Sequence, residues 1–167
     1  MKLISLTMAR STPEMPAEAE QFELAAFFPY KVRLLDRSVS ASLTPVYESL
    51  FGLSVSEWRT MAVLGSHGTL SAKEIVALSG MDKVNVSRAI QGLREAGLLR
   101  RDIDGEDRRR ALLRLTERGT DAFRTLVPLV LKREAELLAG LSVQERTTLL
   151  TLMERVRRNA EGLSRSA

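Results

Sequence analysis

The stretch SAKEIVALSGMDKVNVSRAIQGLREAG, residues 71–97, decides how this chain folds. Ser71 and Glu74 have the Ser-x-x-Glu spacing of a capping box, in which two side chains satisfy free N–H groups at a helix start. Gly80 predicts the end of that helix, because glycine readily takes a left-handed conformation. Asp82 is a favoured N-cap and predicts a second helix, which the last glycine of the stretch closes. The sequence therefore predicts two short helices joined by a tight turn.

The second of these helices is predicted to have one apolar and one polar face. The apolar residues recur at i, i+3, i+4 and i+7, the spacing of a buried helix face, and they are Val86, Ala89, Ile90 and Leu93. The opposite face carries mostly hydrogen-bonding side chains of the size that reads base edges in a major groove. The predicted DNA contacts of this recognition helix are Lys83, Val84, Asn85, Ser87, Arg88 and Gln91.

A small β-hairpin is predicted directly after the two helices. Leu98–Arg101 and Arg110–Leu115 have the composition of two strands, and Asp104-Gly105 supplies the turn between them. Thr69-Leu70 is a candidate for a third short strand beside this wing. The predicted fold is mainly α with a small β-wing, a winged helix-turn-helix accompanied by a helical dimerisation domain.

The predicted wing carries a concentration of positive charge. Arg108, Arg109 and Arg110 are adjacent and repel one another, so a phosphate-rich partner is a natural explanation. Asp107 lies two residues before Arg109, so on a strand-like backbone both side chains point the same way and can form a charge-assisted pair. Asp107, Arg108, Arg109 and Arg110 are the predicted DNA-binding residues of the wing, and Ser71 and Lys73 are predicted to contact DNA phosphates.

The segment from Gly97 to Gly119 resembles the wing signature of the MarR (multiple antibiotic resistance regulator) family. The Asp-x-Arg pattern of that family, followed by Leu-Thr, is present as Asp107, Arg109, Leu115 and Thr116. Gly52–Arg59 and Val86–Arg88 also resemble the family, and the matches extend from Phe28 to the C-terminus.

This resemblance implies a homodimeric regulator that binds a pseudo-palindromic operator in double-stranded DNA. It implies that Arg109 enters the minor groove, with Asp107 as an orienting group. It also implies that a small aromatic or phenolic acid releases the protein from DNA after binding among the first, second and fifth helices. Composition alone makes Tyr30, Arg33, Tyr47, Trp58 and Arg59 the effector-binding candidates. The alternative for Trp58, which its helical spacing favours, is a place in the core.

The domain organisation follows from where apolar helices lie. Residues 1–21 are predicted to be a mobile tail, or a segment that wraps onto a partner subunit. Residues 22–53 and 120–167 are predicted to form the dimerisation region, because their helices are too apolar for one small domain to bury, and residues 54–119 the DNA-binding domain. Pro45 predicts a kink or an interruption of the first long helix, and Pro128 a bend in the later one.

Composition excludes several other function classes. The 167 residues have a net charge of +4, a pI of about 9.8 and no cysteine, so disulfides and thiolate metal sites are excluded. The single histidine cannot build a multi-histidine metal site, and the sequence contains no recognisable set of catalytic residues. We therefore expect no enzyme activity, metal or cofactor. No apolar run is long enough for a membrane span, so a cytoplasmic protein is expected. The competing hypothesis is a winged helix that binds an acidic protein, and the polar outward face of the recognition helix favours DNA.

Overall fold

The computed structural model of the chain describes residues 22–103 and 111–165. The predicted tail, the hairpin turn at Asp104-Gly105 and the wing residues Asp107 to Arg110 lie outside the described residues. The chain divides into two compact units, Met1–Arg37 and Ser38–Ala167. All the elements of the predicted winged helix-turn-helix lie in the second unit.

The described chain consists of six α-helices and a small antiparallel sheet, preceded by a single 3-10 turn at Leu24–Ala26. In chain order the elements are α1 (Phe28–Phe51), α2 (Val55–His67), β1 (Leu70–Ser71), α3 (Ala72–Ser79), α4 (Lys83–Glu95), β2 (Leu99–Ile103), β3 (Ala111–Leu115), α5 (Glu117–Leu137) and α6 (Val143–Arg165). The predicted fold class, mainly α with a β-wing, is confirmed.

The predicted start and end of the first short helix are both present. The Ser71 N–H donates to Glu74 Oε2 over 2.7 Å, and the Glu74 N–H donates back to Ser71 Oγ over 3.3 Å, which is the reciprocal pattern of a capping box. Gly80 has a φ of +66°, a left-handed conformation that costs glycine little and that other residues rarely adopt. The turn between α3 and α4 is therefore fixed by local sequence.

The sheet has the strand order β1-β3-β2, with β3 in the centre. Leu70 pairs with Leu113 on one side of β3, and Arg101 pairs with the same leucine on the other side. The predicted third strand is thus confirmed, one residue later than expected, at Leu70–Ser71. Because β1 directly precedes α3, this sheet ties the wing to the helix-turn-helix.

Packing around α2 holds the DNA-binding part together. Met61 and Leu64 of α2 are buried, and this helix contacts α3, α4, α5 and β3. From α4 the core receives Val86 and Leu93, as the apolar spacing predicted, while Ile90 is half-buried. Burying one face of α4 leaves the opposite face free for solvent or a partner.

Both long helices continue through their prolines. The interruption predicted as one alternative at Pro45 is wrong, because α1 runs unbroken from Phe28 to Phe51. A proline removes one hydrogen bond from the helix ladder. The side chain of Tyr47, one of the most buried in the chain, anchors the turn that follows Pro45 in the core. Pro128 likewise lies inside α5, directly after the buried Leu126.

Candidate nucleic-acid interface

The outward face of α4 presents all six of the recognition-helix side chains that the sequence predicts to contact DNA. Each of these residues is exposed, and they are Lys83, Val84, Asn85, Ser87, Arg88 and Gln91. The side chain of Val84 is 58% exposed, which gives this otherwise polar face an apolar group of the kind that contacts a thymine methyl. The fold therefore brings these six predicted residues together on one helix surface.

Asp82 caps this helix and is also hydrogen-bonded to the side chain of Asn85, one of the residues predicted to contact bases. Asp82 Oδ1 accepts from the backbone N–H of Asn85 over 2.8 Å, and Asp82 Oδ2 accepts from the side-chain Nδ2 of Asn85 over 2.7 Å. The backbone hydrogen bond from Asn85 is the main cause of a lowered pKa of Asp82, and the Asn85 side chain, the Val84 N–H and the positive charge of Arg88 act in the same direction. The carboxylate is therefore ionised at neutral pH.

A second carboxylate–amide pair lies further along α4. Gln91 Nε2 donates to Glu95 Oε1 over 2.8 Å, one helical turn apart. Both side chains are exposed, so the pair is available to solvent and to a partner in the major groove. Each of the two predicted amide readers, Asn85 and Gln91, is thus hydrogen-bonded to an acidic residue of its own helix or cap.

Ser71 and Lys73 differ in their availability to a phosphate. The Ser71 hydroxyl donates to Glu74 Oε2 over 2.6 Å and is half-buried, so the capping box already uses it. Lys73 is exposed at the start of α3 and lines a groove between the helix-turn-helix and the stem of the wing. The phosphate contact of Ser71 stays a prediction, in competition with its structural role.

The stem of the wing carries an ion-paired cluster on one face. Arg100 and Arg114 are directly opposite in the β2–β3 ladder, an arrangement in which like charges repel. Asp102 Oδ2 contacts the Nε of Arg114 and lies 3.7 Å from the Nε of Arg100. This aspartate therefore neutralises part of the repulsion and keeps both guanidinium groups on the same side of the sheet.

A groove with a volume of about 1150 Å³ separates the wing stem from the helix-turn-helix. The residues that line it include five basic residues and one acidic residue, namely Lys73, Lys83, Arg94, Arg100, Arg101 and Glu95. We call this the cationic groove. Arg94, Arg100 and Arg101 are not among the DNA contacts that the sequence predicts. The alternation of β2, in which Arg101 shares a face with the buried Leu99, is the signal that could have found the last of them.

The base of the wing is joined directly to the start of α5. The Thr116 N–H donates to the carbonyl oxygen of Leu98 over 3.0 Å, and the Thr116 hydroxyl donates to the carbonyl oxygen of Gly97 over 2.8 Å. The same hydroxyl accepts from the Gly119 N–H over 3.0 Å as the N-cap of α5. A Cβ atom on Gly119 would lie 2.0 Å from the carbonyl oxygen of Leu98, so only glycine fits there. We call these four residues the wing joint.

The effector-binding candidates fall into two groups. The Tyr47 and Trp58 rings stack at a centroid distance of 5.7 Å, and Trp58 in turn stacks on Phe123 at 6.2 Å. Trp58 is thus part of the packing between α1, α2 and α5, as the alternative reading expected. Arg59 Nη2 donates to Ser40 Oγ over 3.2 Å. The other two candidates are in the first compact unit, where Tyr30 is half-buried and Arg33 exposed, and the effector role of all five stays a prediction.

Comparison with known proteins decides the family. A family model described as MarR family matches residues 51–110, which include the helix-turn-helix and most of the wing. The uncharacterized HTH-type transcriptional regulator YwaE of Bacillus subtilis is 30% identical over 146 residues, covering 87% of this chain and 85% of that protein. The chain belongs to the MarR family. It is a MarR-family transcriptional regulator with a DNA-binding winged helix.

Solved structures agree with this family. A MarR/EmrR family regulator from Acinetobacter sp. ADP1 is 25% identical, with a TM-score of 0.78 over 84% of this chain and 99% of its own. Two further structures share the MarR fold. One is Bordetella bronchiseptica BpsR, whose DNA binding is regulated by 6-hydroxynicotinic acid; it is 20% identical, with a TM-score of 0.74 over 81% of this chain and 96% of its own. The other is an E. coli MarR variant complexed with operator DNA; it is 19% identical, with a TM-score of 0.70 over 77% of this chain and 91% of its own.

Two kinds of feature are absent from the part of the chain that the structure describes. Across residues 22–103 and 111–165, no helix combines the length and the apolar character that crossing a membrane requires. The same residues hold no group of three or more histidine, aspartate or glutamate side chains that could bind a metal ion.

Proposed function

We propose that this MarR-family regulator is a homodimeric repressor that binds a pseudo-palindromic operator and is released by a small aromatic or phenolic effector. The single observation that supports operator binding best is the exposed polar face of α4 beside the cationic groove. The major groove of DNA accepts a helix of this kind, and the basic residues of the cationic groove would then lie near the flanking phosphates. Because such a regulator must meet chromosomal DNA, we also propose that it works in the cytoplasm.

The homodimer is supported by apolar surface that one subunit leaves in water. In the first unit, exposed large apolar side chains include Phe22, Leu24, Phe27, Phe28, Val32, Leu34 and Leu35. In the second unit, α5 and α6 expose Leu129, Leu131, Leu137, Val143, Leu149, Leu150, Leu152, Met153, Val156 and Leu163. Large apolar side chains exposed in this number on single helices are unusual on a soluble monomer and are typical of a protein interface. We therefore assign residues 22–53 and 120–167 to a dimerisation domain.

Sedimentation is expected to show a dimer at micromolar concentration, about twice the 18.6 kDa of one chain. Leu150→Glu, which places a charge on a side chain that is 61% exposed in α6, should shift the equilibrium toward monomer because a buried charge is costly at an interface. Leu78→Glu is the matched control, because it makes the same change at a side chain that is 48% exposed in α3, outside the proposed dimerisation domain, and it should sediment like the parent protein. A stable, well-folded parent monomer would reject the proposed dimer.

DNA binding in a gel shift should depend on both sequence and salt. On genomic fragments, Arg101→Ala is expected to reduce the slope of log affinity against log salt by about 1 for each half-site, because one phosphate contact is lost. Arg124→Ala is the control, since this exposed arginine pairs with Asp121 of α5 outside the cationic groove. If no fragment is bound above random DNA at either of two salt concentrations, sequence-specific DNA binding is rejected and an acidic protein becomes the better candidate partner.

The effector is proposed by analogy with relatives and by the position of the aromatic stack. The DNA binding of BpsR, which shares this fold, is regulated by 6-hydroxynicotinic acid, and this supports the proposal of an aromatic acid as the effector here. Tyr47 and Trp58 lie where α1, α2 and α5 pack together, and Arg59, the residue after Trp58, donates a hydrogen bond to Ser40 of α1. Aromatic rings and a guanidinium are suitable partners for an aromatic acid. Tryptophan fluorescence reports on this place alone, because Trp58 is the only tryptophan of the chain.

A further inference from the structure

The hydrogen bond between Asp82 and Asn85 fixes which way the Asn85 amide faces. An ionised carboxylate can only accept hydrogen bonds, so the group that Asn85 turns toward Asp82 must be its NH2 and not its carbonyl. An aspartate of ordinary pKa is already ionised at neutral pH, and the hydrogen bonds from Asn85 lower the pKa of Asp82 further. The Asn85 carbonyl oxygen Oδ1 is then the end of the amide left for a partner.

Asp82 is itself held in place, which makes this orientation firm. Its other oxygen, Oδ1, accepts the backbone N–H of Asn85 as the helix N-cap, so the carboxylate cannot turn away without leaving that donor unsatisfied. The Gln91–Glu95 pair has the same chemistry, but it joins two long exposed side chains. The short Asp82 side chain, bound at both oxygens, is the better orienting group.

The major groove offers different groups to the two ends of an amide. Adenine N6 and cytosine N4 donate hydrogen bonds there, whereas guanine O6 and N7 and thymine O4 accept them. An amide that presents its carbonyl oxygen therefore favours adenine or cytosine on the strand that it contacts. An amide that presents its NH2 favours guanine or thymine.

We propose that Asp82 is a positioning residue that sets the base preference of the operator, by holding the Asn85 amide so that its oxygen meets adenine or cytosine in each half-site. The inference rests on the proposed function, because it requires that Asn85 reads a base. It assigns to Asp82 a role in specificity in addition to its role as helix cap.

Asp82→Asn is the variant that separates these two roles. Asparagine is as good an N-cap as aspartate, so α4 should keep its stability. The carbonyl oxygen of the introduced amide accepts the hydrogen bond from the backbone N–H of Asn85. The NH2 group of the introduced amide then faces the Asn85 side chain and requires an acceptor there. The Asn85 amide should turn over and present its NH2 to DNA. At one position of each half-site, the preference should move from adenine or cytosine to guanine or thymine, by about tenfold in relative affinity.

The measurement uses the full-length protein and an operator that it selects from a pool of randomised duplexes. Affinities are then compared for all single base-pair changes of that operator, at one salt concentration. Asp82→Ser keeps a capping hydroxyl but has no second oxygen, so it should relax the preference without reversing it. Asn85→Ala should abolish the preference at the same position, and Asp82→Asn should cause no further change of preference in that background.

The outcomes distinguish this inference from the function on which it rests. If Asn85→Ala changes no base preference while the protein still selects an operator, the inference is overturned and sequence-specific binding stands. If Asn85→Ala relaxes one position but Asp82→Asn keeps the original preference there, Asp82 is a helix cap only. If Asp82→Asn only strengthens binding equally on every sequence, its effect is the loss of a negative charge, and the inference is again overturned. If no operator is selected, both proposals fail.

Discussion

Gly119→Ala is expected to lower the free energy of unfolding by about 3 kcal/mol, the upper range for overpacking a tightly packed site. The new Cβ would lie 2.0 Å from the carbonyl oxygen of Leu98 and 2.9 Å from its carbonyl carbon, and both are backbone atoms that cannot rotate away. The start of α5 must then move off the strand, which strains the hydrogen bonds that Thr116 makes to Gly97 and Leu98. Denaturant unfolding, followed by Trp58 fluorescence at one fixed protein concentration, measures the change.

Gly162→Ala is the matched control for this substitution. It makes the same chemical change inside a helix, but a Cβ atom at that position meets nothing within 4 Å. Because alanine favours a helix over glycine by up to about 1 kcal/mol, the control should be neutral or stabilising. If the two variants unfold at the same denaturant concentration, the close approach at the wing joint does not constrain residue 119.

Arg88→Ala is expected to cost roughly 1–3 kcal/mol of operator binding at each half-site, the range for one lost bidentate base contact. Arg88 is exposed on the outward face of α4, one helical turn beyond Val84. If this arginine reads a base, the variant should also lose its preference at one position of each half-site. Its affinity for random DNA should fall much less than its affinity for the operator.

Arg94→Ala is the control for a purely electrostatic effect. Arg94 is an exposed arginine of the same helix, but it lines the cationic groove at the end of α4, away from the N-terminal residues that reach base edges. This variant should weaken binding to operator and random DNA alike. An equal loss on both DNAs for Arg88→Ala would place that residue among the phosphate anchors.

The parts of the fold that the sequence predicted are those governed by local chemistry. The capping box of Ser71 and Glu74 involves residues three apart, and the αL conformation at Gly80 follows from the properties of one residue. The sequence also predicts the apolar face of α4, because the helical spacing of Val86 and Leu93 identifies that face without reference to the helix that packs against it.

The parts that the sequence did not predict depend on contacts between distant segments. Arg101 joins the cationic groove only through the register of β2 against β3, which pairs it with Leu113. The continuity of α1 past Pro45 depends on the burial of Tyr47. The second hydrogen bond of Asp82 depends on the side-chain rotamer of Asn85, which an N-cap pattern does not specify.

The wing joint gives α5 the geometry of a lever. This helix has 21 residues, so it extends about 30 Å from its first turn at about 1.5 Å per residue. Its N-terminal end is the cap at Thr116, which is hydrogen-bonded to Gly97 and Leu98 at the base of β2. Its C-terminal end carries the exposed apolar side chain of Leu137, which we assign to the proposed dimer interface. A tilt of about 3° at the pinned end displaces the far end by roughly 1.6 Å, within the range of about 1–2 Å for the helix shifts found at allosteric subunit interfaces. In the proposed dimer, a small change in how the two subunits meet would therefore change the angle between α5 and the base of β2.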